Sequence, residues 1–75
     1  MRACILVYCK SGKFSDVAKV IKKIKGVKKA FSVFGRWDVA VLVNVADIKT
    51  LGEIALKING LPGVRGAETL IEVPG

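Results

Sequence analysis

Hydrophobic and polar positions along this chain follow two periods in turn, and the switches between them mark its elements. Arg2 to Cys9 is a short β-branched and aromatic run closed by Lys10-Ser11-Gly12-Lys13, which reads as a strand and a turn. From Phe14 the spacing becomes helical. Phe14, Val17, Ala18, Ile21 and Ile24 fall on one stripe, and Lys19, Lys22, Lys23 and Lys25 lie away from it. Ser15 or Asp16 is suited to cap or complement the start of this helix, and Gly26 to stop it after a lysine-rich last turn. Val27 to Phe34 then predicts a second strand, Gly35 a turn, and Trp37 to Val45 a third strand. Asp47 is placed to cap a second helix with the stripe Ile48, Leu51, Ile54, Ala55 and Ile58, ended by Asn59-Gly60. Pro62-Gly63 makes a turn into a last strand, Val64 to Val73.

The order β-α-β-β-α-β predicts an α+β, ferredoxin-like sandwich, with both helices on one face of an antiparallel sheet. The two halves echo each other: Ile24-Lys25-Gly26-Val27 and Leu61-Pro62-Gly63-Val64 each follow a helix and precede a strand. The third strand is apolar at nearly every position, which predicts burial on both faces. Trp37, Val39, Val41, Val43 and Val45 are expected under the helices, and Asp38, Ala40, Leu42 and Asn44 on the other side. No element of the chain remains to cover that second face. Ala40 and Leu42 are therefore the expected contacts of a dimer, with a second copy of the chain as the cover.

Composition supports that expectation. Residues 1–75 are read as one domain, near the lower size limit of a self-sufficient core, yet 52% of the residues are apolar. Apolar surface left in contiguous patches usually marks an interface. No run approaches the roughly 20 apolar residues of a membrane span, and no secretory signal is visible, so a cytoplasmic protein is expected. Cys4 and Cys9 fall on opposite faces of the first strand, about 16 Å apart, beyond disulfide reach. With no His and only these two Cys, no Cys/His metal site is expected.

The formal charge of +7 is concentrated: nine of the thirteen basic residues lie between Lys10 and Arg36. Such a cluster fits either a solvated helix face or a footprint for nucleic acid or another polyanion. Catalytic chemistry has little to draw on. Gly12-Lys13 lacks both the earlier Gly and the following Ser or Thr of a phosphate loop. A carboxylate pair would need Asp38 to converge with Glu68 or Glu72. The chain is not expected to be an enzyme, and no cofactor is expected.

Gly35-Arg36-Trp37-Asp38 is the best candidate for a ligand site. Gly35 permits positive φ or close approach of a ligand, turn N–H groups can hold a small carboxylate, and Asp38 can accept from an ammonium. A plain hairpin turn with Asp38 bonded to local backbone is the competing reading.

Taken together, Lys25-Gly26-Val27, Gly35-Arg36-Trp37-Asp38 with Val39-Ala40-Val41, and Leu61-Pro62-Gly63-Val64 with Thr69-Leu70-Ile71 resemble the effector-binding domain of the Lrp/AsnC, or feast/famine, family of transcriptional regulators. The resemblance covers essentially the whole chain. It implies a domain that dimerises through its sheets, as a dimeric α/β barrel, with dimers joining into higher oligomers. It also implies that a small effector, usually an amino acid, binds between dimers. By position, Gly35 and Asp38 match the family's glycine-x-x-aspartate turn at the effector pocket, and Thr69 a threonine that lines it. Full-length regulators of the same family are implied partners. Three departures stand out. The first strand begins at Arg2, where full-length members carry a helix-turn-helix, so specific DNA binding is not expected. Ala67 replaces a second Thr, and Trp37 replaces a Tyr. The rival readings are a non-specific nucleic-acid binder using the lysine-rich first helix, a ligand-free oligomerisation scaffold, and an ACT-like sensor using Ser11-Gly12.

Overall fold

The computed structural model describes residues 1–74, and Gly75 of the expected 1–75 domain lies outside them. Six elements follow in the expected order: β1 (Arg2–Cys9), α1 (Phe14–Ile21), β2 (Val27–Ser32), β3 (Val39–Asn44), α2 (Ile48–Asn59) and β4 (Val64–Ile71). The strands form one antiparallel sheet in the order β2-β3-β1-β4, the ferredoxin-like arrangement. The pairing reaches the chain start, where Met1 and Val45 exchange backbone hydrogen bonds at 2.8 and 2.9 Å. Ile5 and Val7 of β1 and Val39 and Val41 of β3 are fully buried beneath Val17, Ile21, Leu51, Ile54 and Ile58 of the helices. Among the described residues no helix is long and apolar enough to cross a membrane.

The element ends differ from the periodicity reading for local reasons. The first helix stops at Ile21, and Lys22–Lys25 continue as tight turns in which Lys23 and Ile24 donate to the carbonyls three residues back, at 3.1 and 3.0 Å. A tighter turn keeps Ile24 against the core, so the helical spacing persists after the helix ends. Lys13 precedes that helix without a side-chain cap, and Ser15 and Asp16 lie inside its first turn. Asp47 caps α2 as expected: its Oδ1 accepts from the Thr50 amide at 2.8 Å, which holds the carboxyl below its ordinary pKa. The second and last strands end at Ser32 and Ile71, short of Phe34 and Val73, and β3 begins at Val39 rather than Trp37. Trp37 does not join the helix-side core. Phe14 and Ile48, expected on buried stripes, are exposed.

The echo between the halves is structural. Val27 donates to Ile24 at 3.1 Å and Val64 to Leu61 at 3.2 Å, each closing a four-residue turn whose third residue is a positive-φ glycine. Gly26 (φ +98°) lies under α2, where a Cβ would meet Ile54 Cδ1 at 2.9 Å. Gly63 (φ +91°) lies under α1, where a Cβ would meet Val17 Cγ2 at 3.2 Å. Ile54 follows Val17 by the same 37 positions by which Gly63 follows Gly26. Each half thus tucks its turn beneath the helix of the other.

The second sheet face carries Cys4, Leu6 and Tyr8 of β1, Lys29 and Phe31 of β2, Ala40 and Leu42 of β3 and Glu68 and Leu70 of β4, aligned by register, so it is apolar at its centre with one charge on each edge strand. Leu42 is 40% exposed, whereas Ala40, flanked in register by Leu6 and Phe31, is 7% exposed within a single chain. An open trough of about 610 Å³ runs between Cys4, Leu42 and Leu70. A compact monomer of 8.0 kDa is expected to expose about 4450 Å², and this chain exposes 5121 Å². The excess is what a two-layer slab with one bare face produces.

Two glycine substitutions test these packing assignments with opposite signs. Gly26→Ala combines a left-handed backbone with a clash against Ile54 and should cost at least about 1–2 kcal/mol. Gly52→Ala, in α2 with open space around it, should add about 1 kcal/mol. Urea midpoints at unchanged m-value read both effects.

Candidate functional site

The Gly35–Asp38 turn is held at its neck and free at its tip. Between β2 and β3 the loop closes where the Val33 amide donates to the Asp38 carbonyl at 3.0 Å. Asp38 is then tied twice to β1. Its amide donates to the Val7 carbonyl at 2.8 Å, and its Oδ2 accepts from the Cys9 amide at 2.7 Å. The side chain takes over from backbone pairing one step beyond the Val7–Val39 pair, just where β1 shifts register against β4 between Tyr8 and Cys9. Burial, and secondarily the Asp38 carboxylate, push the Cys9 thiol above its ordinary pKa, so it stays protonated near neutral pH.

Beyond that neck the chain projects. Phe34, Gly35 and Arg36 are exposed, and Gly35 has φ +126° with nothing near the position a Cβ would take, so glycine is needed there for backbone conformation. Among the described residues no protein group accepts from the Gly35, Arg36 or Trp37 amides. These donors, beside an anchored carboxylate, are the parts a zwitterion needs: N–H groups for its carboxylate and Asp38 for its ammonium.

Arg36 and Trp37 line an open depression of about 510 Å³ with Tyr8, Gly66 and Ala67. The Arg65 guanidinium stands 5.6 Å from the Tyr8 ring centroid. Tyr8, Arg65 and Gly66 were not among the expected site residues. The one signal for them is the alternation of β1, which sends Tyr8 to the same face as Leu6. Ala67, singled out as a departure at a Thr position, does border this depression.

One chain therefore gathers Gly35, Arg36, Trp37 and Asp38 but leaves Thr69 apart. Thr69 pairs with Ile5, three residues back along β1 from Tyr8, and β4 is two strands from β3. That separation is about 10 Å along the strands and about 10 Å across them. Neither glutamate approaches Asp38: Glu68 lies opposite Leu6, and Glu72 pairs with Arg2 at the far end of β1, where Arg2 Nε donates at 3.0 Å. No group of three or more His, Cys, Asp or Glu among the described residues could hold a metal ion. Ala40 and Leu42 lie on the bare face, away from the turn.

Residues 2–73 match the Lrp/AsnC ligand binding domain family. The chain is 32% identical over 71 residues to the HTH-type transcriptional regulator FL11 of Pyrococcus horikoshii, a match that covers 95% of this chain and 47% of the relative. It thus spans about half the length of the curated relatives it matches, which are HTH-type transcriptional regulators. Among solved structures it is similar to TTHA0845 from Thermus thermophilus, with TM-score 0.93 and 25% identity over 99% of this chain and 94% of that one. It shares its fold with the transcriptional regulator NMB0573 of Neisseria meningitidis, solved as an L-Met complex. That likeness has TM-score 0.82 and 18% identity, over 97% of this chain and 49% of that one.

The double tie of Asp38 predicts different outcomes for two substitutions. Asp38→Ala leaves the part-buried Cys9 amide without an acceptor and should cost about 1–3 kcal/mol. Asp38→Asn keeps an oxygen in place and should cost clearly less. Denaturant midpoints of the two variants check this ordering.

Proposed function

The chain belongs to the Lrp/AsnC ligand binding domain family, and from that membership we propose that it is a cytoplasmic regulatory module of transcription that binds an amino-acid effector and assembles through its sheets. The observation that carries the reading is the Gly35–Asp38 turn. It sets three unpaired backbone donors beside a carboxylate whose position is fixed by the Cys9 amide. The effector's carboxylate meets the tip amides, its ammonium meets the free lone pairs of Asp38, and its side chain lies against Trp37 and Tyr8. The L-Met complex of the Neisseria regulator, which has this fold, supports an amino acid as the class of ligand.

Assembly follows from the bare sheet face, with Leu42 and the smaller contribution of Ala40 meeting a second copy. Thr69, too far from the turn within one chain, joins an effector site through a neighbouring copy. Full-length regulators of the same family, which share this domain, are the natural mixed partners.

A thermal-shift screen against the twenty amino acids tests the effector reading. A ligand at 100 times its Kd stabilises the folded state by about 2.7 kcal/mol. We expect one or a few amino acids to raise the midpoint and the shift to vanish in Asp38→Asn, which keeps the Cys9 hydrogen bond but removes the charge. Absence of any shift with the wild-type chain would overturn the effector, and an undiminished shift in Asp38→Asn would remove Asp38 from its site.

A further inference from the structure

Between Asp16 and Asp38 the chain carries seven cations and no carboxylate: Lys19, Lys22, Lys23, Lys25, Lys28, Lys29 and Arg36. The six lysines lie on the end of α1, the turns after it and the edge strand β2, all of them at least partly open to solvent. Lys22, Lys28 and Lys29 line one open depression of about 430 Å³ with Phe31. The register shift between Val27 and Lys29 breaks the strand's alternation, so two successive lysines are exposed on the edge strand, Lys29 opposite Leu42 and Lys28 beside the trough, at the rim of the bare sheet face rather than its centre. The ion pair found among the described residues, Arg2–Glu72, lies elsewhere; Glu53 shares a depression with Lys25 but forms no ion pair with it.

The fold itself does not require these charges. The second half of the chain builds the same helix, turn and edge strand 37 positions later, and there the six lysines correspond to Leu56, Asn59, Gly60, Pro62, Arg65 and Gly66. Residues 56–66 carry two cations, Lys57 and Arg65, where residues 19–29 carry six. Protection of an exposed sheet edge accounts for Lys28 and Lys29, but it leaves Lys19, Lys22, Lys23 and Lys25 without a role.

We propose that this lysine cluster is a contact surface for the phosphate backbone of duplex DNA, independent of base sequence and of the effector site. Lysines act as point charges that need no matched geometry, as suits a uniform line of phosphates. Single strands are held by stacking bases on aromatic rings, and the one ring in the cluster, Phe31, is already covered by Lys29 Nζ at 5.5 Å from its centroid. A membrane surface would need a broad apolar helix face beside the charges, and among residues 19–31 the exposed large apolar side chains are the single residues Val20 and Phe31.

Fluorescence anisotropy of a labelled random-sequence duplex of about 20 base pairs, with the intact chain, tests this. If about four phosphates are engaged, affinity should fall about 100-fold between 50 and 200 mM salt. The triple variant Lys22→Gln/Lys28→Gln/Lys29→Gln should bind far more weakly, with the salt slope lower by about 2–3. A control of equal charge, Lys10→Gln/Lys13→Gln/Lys49→Gln, should keep the wild-type slope, and circular dichroism should show both variants folded. Equal losses in both triples would mean net charge alone drives binding and would overturn the surface. So would no binding at 50 mM salt, or competition by polyglutamate as effective as that by unlabelled duplex. Tighter binding of single-stranded DNA or RNA than of the duplex would overturn the choice of partner.

Discussion

A β-sheet has two faces, and this chain carries helices for only one of them. That constraint explains more of the molecule than any single contact. Burying β1 and β3 at the centre of the sheet gives a continuous core of valine and isoleucine on the helix side. It also leaves a broad apolar face and more surface than a compact monomer of this mass would show. About half the residues of this chain are apolar, and part of that apolar surface lies open on the bare face. We assign the cover of that face to a second copy.

The same economy shapes the candidate site. The turn that presents Gly35, Arg36 and Trp37 would be a loose hairpin if backbone pairing alone held it, because the β1–β3 ladder ends at the Val7–Val39 pair. Asp38 restores the tie with its side chain and so fixes the base of the turn to the central strand. One carboxylate oxygen serves the fold while the group keeps lone pairs for a ligand. The two sequence readings of Asp38, a local turn residue and an ammonium acceptor, are therefore compatible, although its fold partner is 29 residues away and not local backbone.

The order of the elements and the identity of the core were legible because each rests on periodicity, a local property. Asp47 was legible as a cap for the same reason. The end of the first helix was hidden because Lys22–Lys25 are good helix formers and Ile24 keeps its place on the apolar stripe through tighter turns. Trp37 was misplaced under the helices because alternation was carried across a loop in which Gly35, with φ +126°, breaks it. The bond from the Cys9 amide to Asp38, the bulge at Lys28 and the distance from Thr69 to the turn all depend on strand register. Register follows from tertiary packing and cannot be read from a spacing.

Sedimentation velocity of the wild-type chain beside Leu42→Lys tests the bare-face assignment most directly. A lysine at that half-exposed position leaves the helix-side core intact but places a charge in the middle of the apolar face. The account predicts a wild-type mass of at least two 8.0 kDa chains and a folded single chain for the variant. A wild-type protein that sediments as one chain, or a variant that keeps the wild-type mass, would contradict it.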